Sequence, residues 1–350
     1  MEELISQISL WFTIDEISPG ITHTRLYGSL TEPKAHSIER IKEVVAETPY
    51  FPIFTTEEER EVIDLIAMRP GPKKRNPLLN LLLFLATVFT TMFVGSRYNG
   101  GMPWVDPKDI LLGIPFSLPL MAILTSHELG HYFTSRRFRV FTSLPYFLPI
   151  PLSLFGTLGA IIKMDSVIPN RKALFWIGLV GPLTGFLVSI PIIYFGLKSS
   201  RVEPIANYPG AIGFGNSLLF WLISRLTHPV IPEGMDIILH PMAFAGWVGL
   251  FVTGINLIPM GQLDGGHIAY SILLKNRRFL SYLVIAALAY LGIHWIGWYI
   301  WLVISIILGM REPLIQDRIT PLPSRYRIFA LIPLTIFALS FIPIPFFFNP

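Results

Sequence analysis

Cysteine is absent from this 350-residue chain, and charged residues account for only 14% of it. The lack of cysteine excludes a disulfide scaffold, a thiolate metal site and a cysteine nucleophile, so a bound metal would need His, Asp or Glu ligands. Soluble domains carry about 25% charged residues, whereas 52% of this chain is hydrophobic and its mean hydropathy is +0.57. The composition is typical of an integral membrane protein.

Acidic residues are scarce outside the N-terminal part of the chain. Of the 23 Asp and Glu residues, 13 lie within positions 1–75, which leaves 10 for the remaining 275 positions. Residues 20–70 alternate between strand and helix patterns, and residues 70–75 form a hinge rich in proline and basic residues. We therefore predict a small soluble α/β region over residues 1–75 and a transmembrane domain over residues 76–350.

Seven runs without charge follow this boundary, and a membrane-crossing helix needs about 20 such residues. The runs are 76–96, 110–126, 140–162, 173–197, 237–263, 279–310 and 328–350. Basic residues favour the cytoplasmic side, and they cluster between the runs at 73–75, 136–139, 171–172, 275–278 and 311–327. The net charge of +4 therefore reflects membrane topology and gives no indication of nucleic-acid binding.

Some apolar stretches are predicted to be something other than one straight crossing. Run 140–162 lies between two basic clusters and contains three prolines, which favours a re-entrant segment covered by protein. Run 279–310 is predicted to form two short helices that break near Gly292 or Gly297. Residues 204–224 are predicted to form an external loop with a short surface helix. The predicted fold class is an all-α polytopic membrane protein with about seven transmembrane helices, run 328–350 being the last.

The second apolar run leads directly into His127-Glu128-Leu129-Gly130-His131. Residues four apart share one face of a helix, so both imidazoles can bind one ion. Glu128 lies beside that face, where it can act on water as a general base without competing for the metal. Polar groups within a membrane are costly unless they serve a site. We therefore predict His127 and His131 as metal ligands and Glu128 as a catalytic residue.

A catalytic zinc ion usually has three protein ligands, so a third ligand is required. Asp264 is the candidate, because it follows run 237–263 and precedes the basic cluster at 275–278, which places it at a depth similar to that of the histidines. The neighbouring proline and glycines break the helix and let the backbone approach a site closely. His267, three residues later, is a candidate for a supporting contact around the metal.

The stretches 127–131 and 256–266 match, in order, the two signature motifs of the site-2 protease family of intramembrane metalloproteases. The chain resembles this family over residues 76–275. The resemblance implies a catalytic core within about 110–275, built on three helices and a membrane re-entrant β-hairpin. The three helices correspond to 110–136, 173–197 and 237–263, and the hairpin corresponds to 140–162. The residues 181–185, Gly-Pro-Leu-Thr-Gly, are similar to the packing pattern of the middle core helix.

The resemblance also implies a function: a zinc metalloprotease that hydrolyses transmembrane-helix substrates at or within the membrane. One Zn²⁺ per chain would be held by His127, His131 and Asp264, with Glu128 as general base. Asn256 corresponds to an asparagine of the family that faces the substrate near the zinc. A branch found in archaea, cyanobacteria and plant chloroplasts is the most similar, because the chain has a soluble N-terminal region and no inserted PDZ-like or CBS-like region.

Two other functions stay open at the level of sequence. A membrane zinc transporter or sensor could use the same ligands, although the other histidines are scattered along the chain. A proteolytically silent relative could act as a membrane chaperone, although it would not need Glu128. The predicted partners are a transmembrane protein substrate and membrane lipid but no nucleic acid, and a homo-oligomer is left open. The predicted location is a cell membrane, crossed several times, with the active site towards the cytoplasmic side.

Overall fold

The computed structural model describes residues 1–20, 23–67, 75–208, 210–274, 277–309 and 313–348. The helices are α1 (Glu2–Ile8), α2 (Lys34–Ala46), α3 (Pro77–Tyr98), α4 (Ile114–Arg137), α5 (Arg171–Lys198), α6 (Leu218–Thr227), α7 (Pro241–Asn256), α8 (Asp264–Leu273), α9 (Arg277–His294), α10 (Gly297–Gly309), α11 (Arg325–Phe329) and α12 (Leu331–Ser340). The strands are β1 (Phe12–Pro19), β2 (His23–Leu30), β3 (Phe51–Glu57), β4 (Arg60–Ile66), β5 (Tyr146–Pro149), β6 (Thr157–Ile161), β7 (Ile168–Asn170), β8 (Arg201–Pro204), β9 (Ile212–Phe214), β10 (Met235–Ile238), β11 (Ile315–Asp317) and β12 (Phe346–Phe348). Of the predicted hinge, residues 70–74 lie outside the described residues, as do 275–276 and 311–312 of two predicted basic clusters.

An α/β unit forms at the N-terminal end, as predicted. Strands β1, β2, β4 and β3 are antiparallel neighbours in that order. Leu26 and Leu30 of β2 are buried on the same face, because side chains alternate along a strand. Helix α2 buries Ile38, Ile41 and Val45 at helical spacing. These five side chains belong to one hydrophobic core, which holds the helix against the sheet.

This sheet continues into later parts of the chain. Strand β11 pairs in parallel with β3, where Asp317 lies opposite Phe54, and with β7, where Ile315 lies opposite Ile168. The six-stranded sheet therefore contains two strands from beyond residue 76. The boundary at 75/76 between two domains stays a prediction, but strands from both sides of it share hydrogen bonds.

Three helical segments in the described part of the chain are long and apolar enough to cross a membrane. They are α3, α4 together with the 3-10 helix that precedes it (Pro107–Arg137), and α5. Asn76 caps α3 by accepting from Leu78 N, and Asn170 caps α5 by accepting from Ala173 N. A helix-rich fold with three candidate membrane-crossing helices and an N-terminal α/β region is thus confirmed, whereas the number of about seven spans is not.

The later apolar runs are divided differently from the prediction. Run 237–263 begins with strand β10 and contains α7, which has only 16 residues. Run 279–310 forms α9 and α10, which break at residues 295–296, between the two predicted points. The prediction of a last span over 328–350 is wrong: α11 and α12 are short, and β12 pairs with β9 instead of ending a helix.

The helices at the centre pack around α5. It contacts α4, α7 and α8, and α4 also contacts α7, so the three predicted core helices lie together. Between α4 and α5, strands β5 and β6 form an antiparallel hairpin, which pairs Tyr146 with Ile161 and Phe147 with Ala160. A β-hairpin is therefore present in run 140–162; its depth in a membrane stays a prediction. Helix α3 packs along β5.

Candidate active site

Helix α4 places both histidines of the H-E-x-x-H motif on one face, as the spacing predicts. His127 and His131 are each 5% exposed. Their ring centroids are 4.8 Å apart, and their two Nε2 atoms are 3.0 Å apart. Because side chains one helical turn apart point in the same direction, both rings reach one point beside α4.

Asp264 reaches the same point because the chain breaks between α7 and α8. Helix α7 ends at Asn256, and Gly261 turns the connecting segment with a φ of +63°. Helix α8 then begins at Asp264 itself. A Cβ at Gly265 would collide with the carbonyl oxygen of Leu257, so glycine lets the start of α8 lie directly against the end of α7.

The carboxylate of Asp264 lies between the two imidazoles. Its Oδ2 is 3.3 Å from Nε2 of His127, and its Oδ1 is 3.3 Å from Nε2 of His131. The three side chains form a group whose ligand atoms all lie within 4.8 Å of one another. Two predicted stretches that are more than 120 residues apart in sequence are thus brought together at their polar residues.

Helix α5 orients the second histidine. Nδ1 of His131 lies 2.7 Å from the carbonyl oxygen of Ile177. Because a carbonyl oxygen only accepts, Nδ1 carries the hydrogen, and in the neutral imidazole the lone pair of Nε2 then faces Asp264. Gly181 lies directly beside the ring, and Thr184 donates to the carbonyl oxygen of Ser126 at 2.8 Å. These contacts hold α4 and α5 together at the level of the site.

The ligand set fits a zinc ion. Imidazole nitrogen and carboxylate oxygen are both zinc ligands, and catalytic sites combine three protein ligands with one open position. The two Nε2 atoms are 3.0 Å apart and each lies 3.3 Å from a different oxygen of Asp264, so the three side chains are close enough to bind one ion. The hydrogen bond from His131 to Ile177 is the supporting contact that metal-binding histidines make with a backbone carbonyl.

The two predicted catalytic side chains also lie at this place. Glu128 is only 6% exposed and follows His127 on α4, about 100° further around the helix. Asn256 is the last residue of α7, and its Nδ2 lies 3.4 Å from Nε2 of His127. Their positions agree with the predicted site, and their roles stay a prediction.

His267 lies on α8, one turn after Asp264, and is buried. It is not part of the group of three ligands, and its Nδ1 has no hydrogen-bond partner within the part of the chain that the structure describes. Nδ1 of His267 therefore does not make the predicted supporting contact, and the role of this residue stays a prediction. The supporting contact comes instead from the backbone at Ile177, which no side-chain pattern could indicate.

Arg171 is a further residue whose place the sequence analysis did not foresee. The sequence predicts it as part of a basic cluster, but it is 8% exposed and binds α8. Its Nε donates to the carbonyl oxygen of Ser271 at 2.8 Å, and its Nη2 donates to that of Ile272 at 3.2 Å. The guanidinium thus satisfies carbonyls that the last turn of a helix leaves unpaired, at the opposite end of α8 from Asp264.

Comparison with known proteins identifies the family. The family described as Peptidase family M50 matches residues 115–296, which is just over half of the chain and includes all the predicted site residues. The chain therefore belongs to peptidase family M50, and its resemblance to site-2 proteases is confirmed.

The curated relatives are plant proteins. The chain is 34% identical to "Probable zinc metalloprotease EGY1, chloroplastic" of Oryza sativa subsp. japonica over 56% of this chain and 38% of the relative. The Arabidopsis thaliana protein of the same name is 34% identical over 59% of this chain and 42% of the relative. "Probable zinc metalloprotease EGY2, chloroplastic" of Arabidopsis thaliana is 31% identical over 68% of this chain and 43% of the relative. The chain thus spans less than half the length of these relatives. No solved structure matches significantly.

Proposed function

We propose that the chain is an intramembrane zinc metalloprotease that hydrolyses peptide bonds of transmembrane-helix substrates, with one zinc ion per chain. The observation that carries the proposal is the convergence of His127, His131 and Asp264 next to Glu128. This group lies among helices that include three apolar enough to cross a membrane. Membership of peptidase family M50 and the names of the plant relatives support peptidase chemistry.

Each site residue has a role in this proposal. His127, His131 and Asp264 would hold the zinc ion, which supplies the Lewis acidity that activates water and polarises a peptide carbonyl. Glu128 takes a proton from the attacking water and returns it to the leaving amine, as a general base and then a general acid. Asn256 lies close enough to His127 to donate to the substrate backbone or to the developing oxyanion.

The substrate has to present extended backbone, because the carbonyls of an intact helix are occupied by its own hydrogen bonds. We infer that a transmembrane helix unwinds locally and adds a strand to the β5–β6 hairpin. Among the described residues, β6 pairs only with β5, so its other edge offers backbone groups for such pairing. Backbone groups in lipid need partners of this kind.

The basic residues favour an active site towards the cytoplasmic side of a cell membrane. Arg136 and Arg137 end α4, and His127 lies nine residues before Arg136, about 13 Å along the helix. We propose that residues 1–75 form a soluble region on the same side. The proposed partners are the transmembrane substrate and membrane lipid; no nucleic acid is expected, and a homo-oligomer is left open.

The test combines zinc content with cleavage of a model single-span substrate by the purified full chain. We expect about one zinc per chain in the wild type and in Glu128→Gln, and less in Asp264→Ala. Cleavage should fall at least about 100-fold in Glu128→Gln because the general base is lost. Glu233→Gln, which changes an exposed carboxylate in a loop, is the matched control and should cleave normally.

The outcomes separate this function from the alternatives. Full cleavage by Glu128→Gln with zinc bound would exclude Glu128 as the base. Zinc that stays fully bound in Asp264→Ala would exclude Asp264 as the third ligand. Bound zinc without cleavage of any span by the wild type would favour a zinc transporter or sensor, or a silent membrane chaperone.

A further inference from the structure

Helix α3 has an unusual division of side chains for a helix that can cross a membrane. Leucines and a phenylalanine cover its outer face, and each of them is more than half exposed: Leu78, Leu79, Leu81, Leu82, Leu85 and Phe89. Its buried face is largely polar and contains Asn80, Thr87, Thr90, Thr91 and Ser96. Burying an amide and several hydroxyls within a membrane is costly unless they find hydrogen-bond partners.

Asn80 finds its partners in the chain that leads into the hairpin. Its Nδ2 donates to the carbonyl oxygens of Leu144 at 3.0 Å and of Pro145 at 2.9 Å. These two residues directly precede β5 and are not part of its pairing with β6. The amide group of Asn80 thus donates both of its hydrogens to carbonyls of the segment that leads into β5.

The C-terminal half of α3 holds the turn between β5 and β6. Thr90 Oγ1 donates to the carbonyl oxygen of Gly156 at 2.7 Å, and Tyr98 donates to that of Leu154 at 2.6 Å. Gly156, directly before β6, has a φ of +77°, and a Cβ there would lie 2.6 Å from the carbonyl oxygen of Thr90. The backbones of the turn and of α3 are therefore in direct contact at this point.

We propose that Asn80 and Thr90 are positioning residues that clamp the β5–β6 hairpin to α3 and so fix β6 for the addition of a substrate strand. The proposal rests on the proposed function, because it assigns these side chains a part in substrate binding. Helix α3 packs along β5, whereas Leu158 and Ile161 on β6 are 68% and 55% exposed. The clamp acts on one side of the hairpin and leaves the other side open.

Thr87 provides an internal control. It is as buried as the clamp residues, but its hydroxyl donates to the carbonyl oxygen of Leu83 within α3 at 2.8 Å. Thr87→Val and Thr90→Val make the same isosteric change on the same helix, and only the second removes a bond to the hairpin. Thr90→Ser keeps the hydroxyl. Because the chain has no cysteine, Leu158→Cys gives a unique attachment point for a spin label on β6.

The experiment measures zinc content, kcat and KM on a model single-span substrate, and the mobility of a spin label at position 158, all in the purified full chain. For Thr90→Val and Asn80→Leu we expect unchanged zinc content, a mobile label and a kcat/KM that falls about five- to tenfold for each lost hydrogen bond, mainly through KM. Thr87→Val and Thr90→Ser should behave as the wild type does.

Two results would overturn the clamp. One is a spin-label mobility equal to that of the wild type in both Thr90→Val and Asn80→Leu; the other is a loss of kcat/KM in Thr87→Val as large as that in Thr90→Val. A mobile label with unchanged kcat/KM would overturn the role in substrate binding. If the wild type binds zinc but cleaves no substrate, the proposed function is wrong, and so is the role of the clamp in substrate binding. The mobility of the spin label then still tests whether α3 clamps the hairpin.

Discussion

The contact between Gly181 and His131 yields a sharp prediction about the metal site. A Cβ added at position 181 would meet three atoms of the His131 ring, inside van der Waals contact by more than about 1 Å. The ring cannot turn away freely, because its Nδ1 donates to the carbonyl oxygen of Ile177 at 2.7 Å. Gly181→Ala must therefore either break this hydrogen bond or separate α4 from α5.

The expected magnitude follows from these two routes. Overpacking by one methyl group in a tight core costs about 1–3 kcal/mol, and losing the partner of a metal-binding histidine lowers metal affinity by about 10- to 100-fold. We therefore expect Gly181→Ala to bind zinc about 10- to 100-fold more weakly than the wild type. Competition with a chelator of known affinity measures this directly, and the folded helix content is followed by circular dichroism.

Gly185→Ala is the matched control, one turn further along α5. Its Cβ would lie 3.2 Å from Cβ of His127, a tight contact that a shift of a few tenths of an ångström relieves. It does not touch the Nε2 side of that ring, so the loss of zinc affinity should be smaller than for Gly181→Ala. Equal zinc affinity in Gly181→Ala and the wild type would refute the idea that α5 sets the position of His131.

Two further predictions concern charged residues. Arg171→Met removes two hydrogen bonds to the last turn of α8, the helix that starts at Asp264. Chelator competition should show zinc affinity lowered by about tenfold. Lys172→Met changes the exposed neighbour and is the control; an equal loss of zinc affinity there would contradict the role of Arg171 in holding α8. Burial raises the pKa of Asp64 in the N-terminal sheet, so the folded chain keeps this proton to a higher pH than the unfolded chain does. The free energy of unfolding should therefore fall as the pH rises through that raised pKa. Asp64→Asn should flatten the curve of unfolding temperature against pH in this pH range. An unchanged slope in the variant would contradict the raised pKa of Asp64.

The three residues of the candidate metal group were predictable because they lie in local sequence patterns. His127 and His131 share a face of α4 for the same reason that any residues four apart do. Asp264 was predictable from its motif, since the break before α8 is encoded by glycine and proline nearby. The prolines and the flanking basic clusters of run 140–162 favour only a re-entrant segment; the resemblance to the family implies the β-hairpin, and neither predicts its register.

The rest of the fold depends on contacts between distant segments. Strands β7 and β11 have three residues each and pair in parallel with neighbours far away in sequence, so no local periodicity indicates them. The run of phenylalanines at 346–348 is as apolar as the end of a span, yet it forms β12 against β9. Hydropathy measures the length of an apolar run, and it cannot distinguish a span from a strand buried under other elements.

Helix α5 determines a part of the geometry at the candidate metal group that the sequence motifs do not predict. It contributes no ligand, but it holds His131 through the Ile177 carbonyl and Gly181. Gly178, on the same face of α5 as Gly181, lies against α8, where a Cβ would be 3.0 Å from the carbonyl oxygen of Asp264. These two glycines of α5 thus let α4 and α8 approach the helix closely, beside the point where Nε2 of His131 and Oδ1 of Asp264 lie 3.3 Å apart. The two motifs predict which residues come together, whereas the packing of this third helix against α4 and α8 positions their side chains, and no local motif encodes that packing.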